Sequence, residues 1–121
     1  MATVDLVATG ARSGKLFDAL AIRDTAVYTS DILISADHYQ FTFPYNNGLN
    51  TSVALQFQGS PDVGTTWVNI GTSITVTGGT IDYQTLNIDA WERIRVTAVA
   101  AGASGATTGA LTLWYEAQRR D

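Results

Sequence analysis

The chain has 121 residues, 45% of them hydrophobic, with no cysteine and a formal net charge of −4. That length suits one domain able to bury a core without staples. The missing cysteines exclude disulfides and thiolate metal sites, and an acidic chain with seven basic residues is poorly suited to gripping nucleic acid through its phosphates.

Met1 to Ala11 is short, Thr-rich and mildly apolar, as expected of an edge strand or an extended arm. Asp5 and the lack of a long apolar stretch argue against a signal peptide. No run approaches the ~20 apolar residues of a membrane-spanning helix, so a soluble protein with no membrane partner is expected. Gly10 to Gly14 reads as a turn carrying Arg12, with Lys15 just after. This stretch has some likeness to a phosphate-binding loop. However, it is one residue short between its glycines, and Leu16 stands where Ser or Thr would hold magnesium. In Leu16 to Ala21 the apolar residues fall at i, i+1 and i+4, so a single helical turn and a loose loop anchored by Phe17 are both compatible.

Val27 to Thr29 and Ile32 to Ile34 read as one bent strand or two short ones, followed by a turn at Ser35 to Asp37. Tyr39, Phe41, Phe43 and Tyr45 then alternate with His38, Gln40, Thr42 and Pro44, which marks a strand with one aromatic face. Asn46-Asn47-Gly48 carries the Asn-Gly pair of tight hairpins, so His38 to Gln58 is predicted to be a hairpin. Val53, Leu55 and Phe57 point opposite to Ala54, Gln56 and Gln58. Pro61, Asp62 and Gly64 supply a turn, and Trp67 to Ile70 resumes an extended course, giving a second hairpin with a longer loop.

Beyond Val76, strands are expected around Ile81 to Ile88, Arg93 to Ala98 and Leu111 to Glu116. Arg93 and Arg95 should stand on the wet face of their strand. Ala101 to Gly109, built of small residues, is expected to be a mobile loop. The reading is all-β: a single antiparallel β-sandwich or jelly-roll-like domain of about seven to nine short strands. Residues 1–21 form an N-terminal arm or edge segment, 22–118 the sandwich and 119–121 a frayed tail.

Chemistry is sparse. The lone His38 and its neighbour Asp37 point to opposite faces of a strand and form no orienting pair. Asp62 alone lacks the clustered oxygens of a calcium site. Asp62, Asp82, Asp89 and Glu92 are candidates for paired-acid chemistry only because they are acids, and there is no G-x-S-x-G elbow. Asn50-Thr51-Ser52 fits a glycosylation acceptor, which means little without a secretory signal. No catalytic residue, cofactor or metal site is predicted. Charged residues make up 15% of the chain against a typical ~25%. Between Tyr39 and Ile81 only Asp62 is formally charged. Strand-favouring Thr and Ser account for this, as does a face covered by a partner. Trp67, Trp91 and Trp114 read first as core anchors, with a sugar-stacking platform or an interface as the alternatives. Trp114, alternating with Leu113 and Tyr115, is the one expected to be exposed.

Four segments together, TAVYTSDILI, HYQFTFPY, VALQFQGSPDVGTTWVNIG and WERIRVTAVAAGASGATTGALTLWYEAQ, resemble small all-β structural proteins of tailed bacteriophages, namely head decoration (cement) proteins and related tail-associated sandwich modules. The resemblance spans roughly Thr25 to Gln118. It implies a virion protein without an active site that binds the capsid exterior and bridges copies of the major capsid protein, with a homotrimer favoured. Met1 to Ala21 would then help grip the shell, with Arg12, Lys15 and Phe17 as contacts and Trp114 as a further one. The alternative is a tail- or fibre-associated module that binds a carbohydrate or receptor.

Overall fold

The computed structural model describes residues 3–5, 13–34, 38–87, 91, 93–101 and 105–119. Arg12, Asp37, Asp89 and Glu92 lie outside the described residues, as do 6–11, the turn at 35–37 and the last two residues of the tail. All the described regular structure is β.

The chain forms two sheets packed face to face. The smaller has four strands in the order β2 (Ser13–Leu20), β11 (Leu111–Arg119), β5 (His38–Asn47) and β9 (Ile81–Asn87), all antiparallel. The larger has seven. β1 (Thr3–Asp5), β4 (Ile32–Ile34), β10 (Arg93–Ala100), β6 (Val53–Ser60) and β7 (Val68–Asn69) run across it. β3 (Tyr28–Thr29) adds to β10 and β8 (Ile74–Val76) adds to β6. The expected β-sandwich is therefore observed.

Alternation sets which face is buried. Phe41, Phe43 and Tyr45 of β5 point into the core, as do Leu111, Leu113 and Tyr115 of β11, Val53, Leu55 and Phe57 of β6, and Ile94, Val96 and Ala98 of β10. Each strand gives one residue in two to the core, as a period of two requires. Arg93 and Arg95 stay half-exposed on the outer face, as expected.

The predicted hairpin between β5 and β6 does not form. β5 pairs with β11 and β9, while β6 pairs with β10, β7 and β8, so the chain crosses from one sheet to the other between them. Both strands carry a strongly apolar face, and stacking those faces buries both at once. The Phe43 and Phe57 rings meet across the core at 4.8 Å between centroids. A hairpin would have put the two strands edge to edge in one layer. Asn47 is not a turn residue but the fully buried end of β5. Its Nδ2 donates to Val76 O (3.0 Å) and Thr51 O (3.2 Å), and its Oδ1 accepts from Leu49 N (3.2 Å). One carboxamide thus fastens the crossing segment to the end of β8.

Leu16 to Ala21 is neither a helical turn nor a loose loop. Ser13–Leu20 is an edge strand, paired to β11 with two register shifts. Leu113 faces Phe17 but Trp114 faces Lys15, so Leu16 is the extra residue of a bulge. Leu16 and Phe17 both turn inward and are 6% exposed. A bulge that places neighbours on one side imitates helical spacing in the sequence. This segment therefore belongs to the sandwich rather than to a free arm. Part of the expected mobile loop is also held in place. Ala106 is buried and its N–H donates to Ile22 O (3.1 Å), and Asn50 bonds Thr107 through both its Oδ1 and its Nδ2.

The turn after β6 behaves as its residues predict. Gly64 takes a φ of 92°, and Asp62 accepts hydrogen bonds from Thr66 N (2.6 Å) and Ser60 Oγ (3.0 Å). Bonds from Thr66 above all, and from Ser60, hold the Asp62 carboxyl below the usual carboxylate range. The latch is therefore complete at neutral pH and is lost only as pH falls through that lowered value.

Two predictions follow from these contacts. Asn47→Ala leaves buried backbone groups without partners and should cost roughly 1–3 kcal/mol, read from the denaturant midpoint. The amide signal of Thr66 should titrate with a midpoint below that of a free aspartate, and Asp62→Asn should abolish the titration.

Candidate functional site

The outer face of the four-stranded sheet carries the most organised set of side chains that the core does not use. Along β11 the unbroken register from Leu113↔Tyr45 to Glu116↔Thr42 sets Trp114 opposite Pro44. On one side Trp114 pairs with Lys15 of β2, and on the other side Pro44 pairs with Tyr83 of β9. Lys15, Trp114, Pro44 and Tyr83 therefore form one row that crosses all four strands at right angles to the chain. Residues paired across a ladder share a face, and burial alternation shows that this face points outward.

The rows on either side are polar at most positions. Glu116, Thr42 and Thr85 lie on one side; Thr112, Asn46 and Ile81 lie on the other. Tyr83 is 62% exposed and Ile81 74%, both large for apolar or aromatic groups. A cavity of about 530 Å³ opens at the β2 end of the row, lined by Ser13, Gly14, Lys15, Pro44, Trp114, Tyr115 and Glu116. Gly14 is required there because a Cβ would sit 2.7 Å from the Tyr115 hydroxyl. Burial raises the Tyr115 phenol, and the charge of Asp31 raises it further. On β5, Tyr45 is raised by burial first and by Asp82 of β9, opposite it in the ladder, second.

The fold brings together two of the four predicted contact residues, Lys15 and Trp114. Phe17 is separated from them because the bulge turns it inward, so it is a core residue. Lys15 reaches Asp18 (Nζ–Oδ1 3.3 Å) in an exposed pair of little energetic weight. Nothing along the chain marks Pro44 and Tyr83 as partners of Trp114. They lie far apart along the chain and meet only through strand pairing.

The other tryptophans have local roles. Trp91 packs over Gly59 against the core, where a Cβ would collide with the indole ring. Trp67 lies under Arg95, whose guanidinium carbon is 4.2 Å from the ring centroid, and Arg95 Nε donates to Gln58 Oε1 (2.8 Å). Burial alone lowers the Arg95 pKa. Among the described residues no group of three or more His, Asp or Glu could hold a metal ion, and no helix is long and apolar enough to cross a membrane.

No protein-family model matches the sequence, and no curated protein matches it. Solved structures do match. The PBSX exported protein XepA superposes with a TM-score of 0.66 at 13% identity, over 90% of this chain and 37% of that one. The SPBc2 prophage-derived protein YomS gives 0.61 at 13% identity, over 87% and 89%. A carbohydrate-binding module specific for non-crystalline cellulose, CBM28, gives 0.52 at 8% identity, over 89% and 74%. The chain thus spans about a third of the XepA structure and most of the length of the other two. At these identities the likeness establishes a shared β-sandwich fold, one that a prophage-derived protein also has.

Core and contact positions should separate in stability measurements. Phe17→Ala is expected to cost about 3–5 kcal/mol. Lys15→Ala should stay within about 0.5 kcal/mol of the parent. Chemical denaturation of both variants checks this.

Proposed function

We propose that this chain is a non-catalytic binding module of a tailed-phage particle, and that it contacts its target through the outer face of the four-stranded sheet. The observation that carries the reading is the row Lys15–Trp114–Pro44–Tyr83, with its cavity at one end. These groups lie outside the core cluster, Tyr83 well exposed and Trp114 half-buried, and aromatic groups gathered on a surface mark contact sites. The sandwich supplies a rigid platform on which strand pairing fixes their spacing. The fold shared with a prophage-derived protein and the phage-protein resemblance of the sequence support the particle as the setting.

A target outside the shell, at a tail tip or fibre, suits this geometry better than capsid decoration does. The case for the shell leaned on residues 1–21 as a gripping arm, and Ser13–Leu20 is built into the sandwich instead. Capsid decoration is the second reading. It is favoured by the charge-poor stretch from Tyr39 to Ile81, since interface cores are depleted of charge. On that reading the same face packs on the major capsid protein.

The test compares face variants on folded protein. Fluorescently labelled chain is incubated with host cells and, separately, with phage particles lacking it. Trp114→Ala/Tyr83→Ala should lose at least ten-fold in binding to cells, with an unchanged melting temperature, while Trp67→Ala retains it. Saturable, face-dependent binding to particles alone selects decoration. If Trp67→Ala abolishes binding and the Trp114/Tyr83 variant does not, the contact face is the other sheet and the reading fails.

A further inference from the structure

We infer that the row on the four-stranded sheet is a binding site for a neutral oligosaccharide lying across the strands; this rests on the binding-module reading above and names the ligand of that face. Three observations converge on this ligand.

The first is the chemistry of the surfaces. A sugar ring has an apolar face made of its axial C–H groups and a rim of hydroxyls. It needs a flat aromatic or proline surface beneath it and hydrogen-bonding groups around it. Trp114, Pro44 and Tyr83 provide the flat surfaces in one continuous row. Glu116 and Asn46 stand in the adjoining rows, one on each side, with acceptors and donors for hydroxyls. A wholly apolar ligand would strand these polar groups against it, at a cost.

The second is charge. Lys15 and Glu116 both line the cavity around Trp114, so its lining offers one charge of each sign, with Asp18 paired to Lys15 beside it. An anion would meet Glu116 and a cation would meet Lys15. A polyol without net charge accepts from the ammonium and donates to the carboxylate, so it satisfies both.

The third is spacing. Paired strands lie about 4.8 Å apart, so Trp114 and Tyr83, separated by two strand intervals, stand about 10 Å apart. Groups at that separation address different rings of one extended sugar chain, with Pro44 between them. The cavity of about 530 Å³ at the Trp114 end is large enough to seat the first ring and falls in the usual range of ligand sites. Because the row runs perpendicular to the strands, its register is fixed by the sheet rather than by flexible loops.

The site therefore reads chain length as well as ring chemistry. The test is an NMR titration of the ¹⁵N-labelled full chain with cellotetraose, chitotetraose, mannotetraose and maltotetraose, and with the corresponding monosaccharides. At least one tetrasaccharide should shift the Trp114 indole N–H and the Tyr83 amide saturably, with an affinity at least ten-fold above its monosaccharide. Trp114→Ala and Tyr83→Ala should each lower that affinity ten-fold or more without changing the melting temperature, and Trp67→Ala should leave it unchanged. The inference is overturned if no tetrasaccharide in the panel moves these signals, if the shifts fall on the face bearing Trp67 and Arg95, or if tetrasaccharide and monosaccharide bind equally. Cell or particle binding lost in Trp114→Ala/Tyr83→Ala without any sugar response would sink the oligosaccharide while sparing the binding face. Loss of neither would sink both.

Discussion

The arrangement depends on the register of β5 between β11 and β9. In that register Phe41, Phe43 and Tyr45 face the core, while Thr42, Pro44 and Asn46 face out. A slip of one residue would exchange the two sets, exposing three aromatic rings and burying a proline and an amide. The penalty is large because the inward rings also meet the opposite sheet, as Phe43 does with Phe57. Asn47 secures the end of the strand, with a buried carboxamide that the crossing segment and β8 saturate. Core packing therefore fixes not only the inside of the sheet but also the alignment of Trp114, Pro44 and Tyr83 outside it.

Much of the fold was legible in the sequence because alternation is a local signal. The strands β5, β6, β10 and β11 were all readable from single-residue alternation, and the turn at Asp62 and Gly64 from residue chemistry. What alternation does not carry is which strand pairs with which. The Asn-Gly pair at Asn47-Gly48 suggested a hairpin, yet the apolar faces of β5 and β6 gain more by stacking across the core than by lying side by side. β2 was illegible for a related reason. Its bulges put Leu16 and Phe17 on one side, and a broken period of two resembles a period of 3.6 over so few residues.

The candidate site was half legible. Trp114 stood out because an aromatic residue at an outward position of a clean alternation needs an explanation, and Lys15 because it is a basic residue of the segment expected to grip a partner. Phe17 was misplaced for want of the bulge. Pro44 and Tyr83 gave no signal because a row across a sheet has no counterpart along the chain. Its members are separated by tens of residues and become neighbours only through the ladder.

The same geometry separates the demands of folding from those of binding. Inward positions of the four-stranded sheet are constrained by volume on every side, so changing them costs stability. Outward positions of the row lie outside the core cluster, so exchanging Trp114 or Tyr83 leaves the volume constraints of the core in place. The two edges of the sheet differ as well. β2 is interrupted by two register shifts and carries Lys15, features that discourage another strand from adding to an edge. β9 runs seven residues without a shift against β5, and its outward Ile81 and Tyr83 are well exposed. The row thus has a cavity at its Lys15 end and its well-exposed aromatic ring, Tyr83, at the other, so its two ends differ as the two sheet edges do.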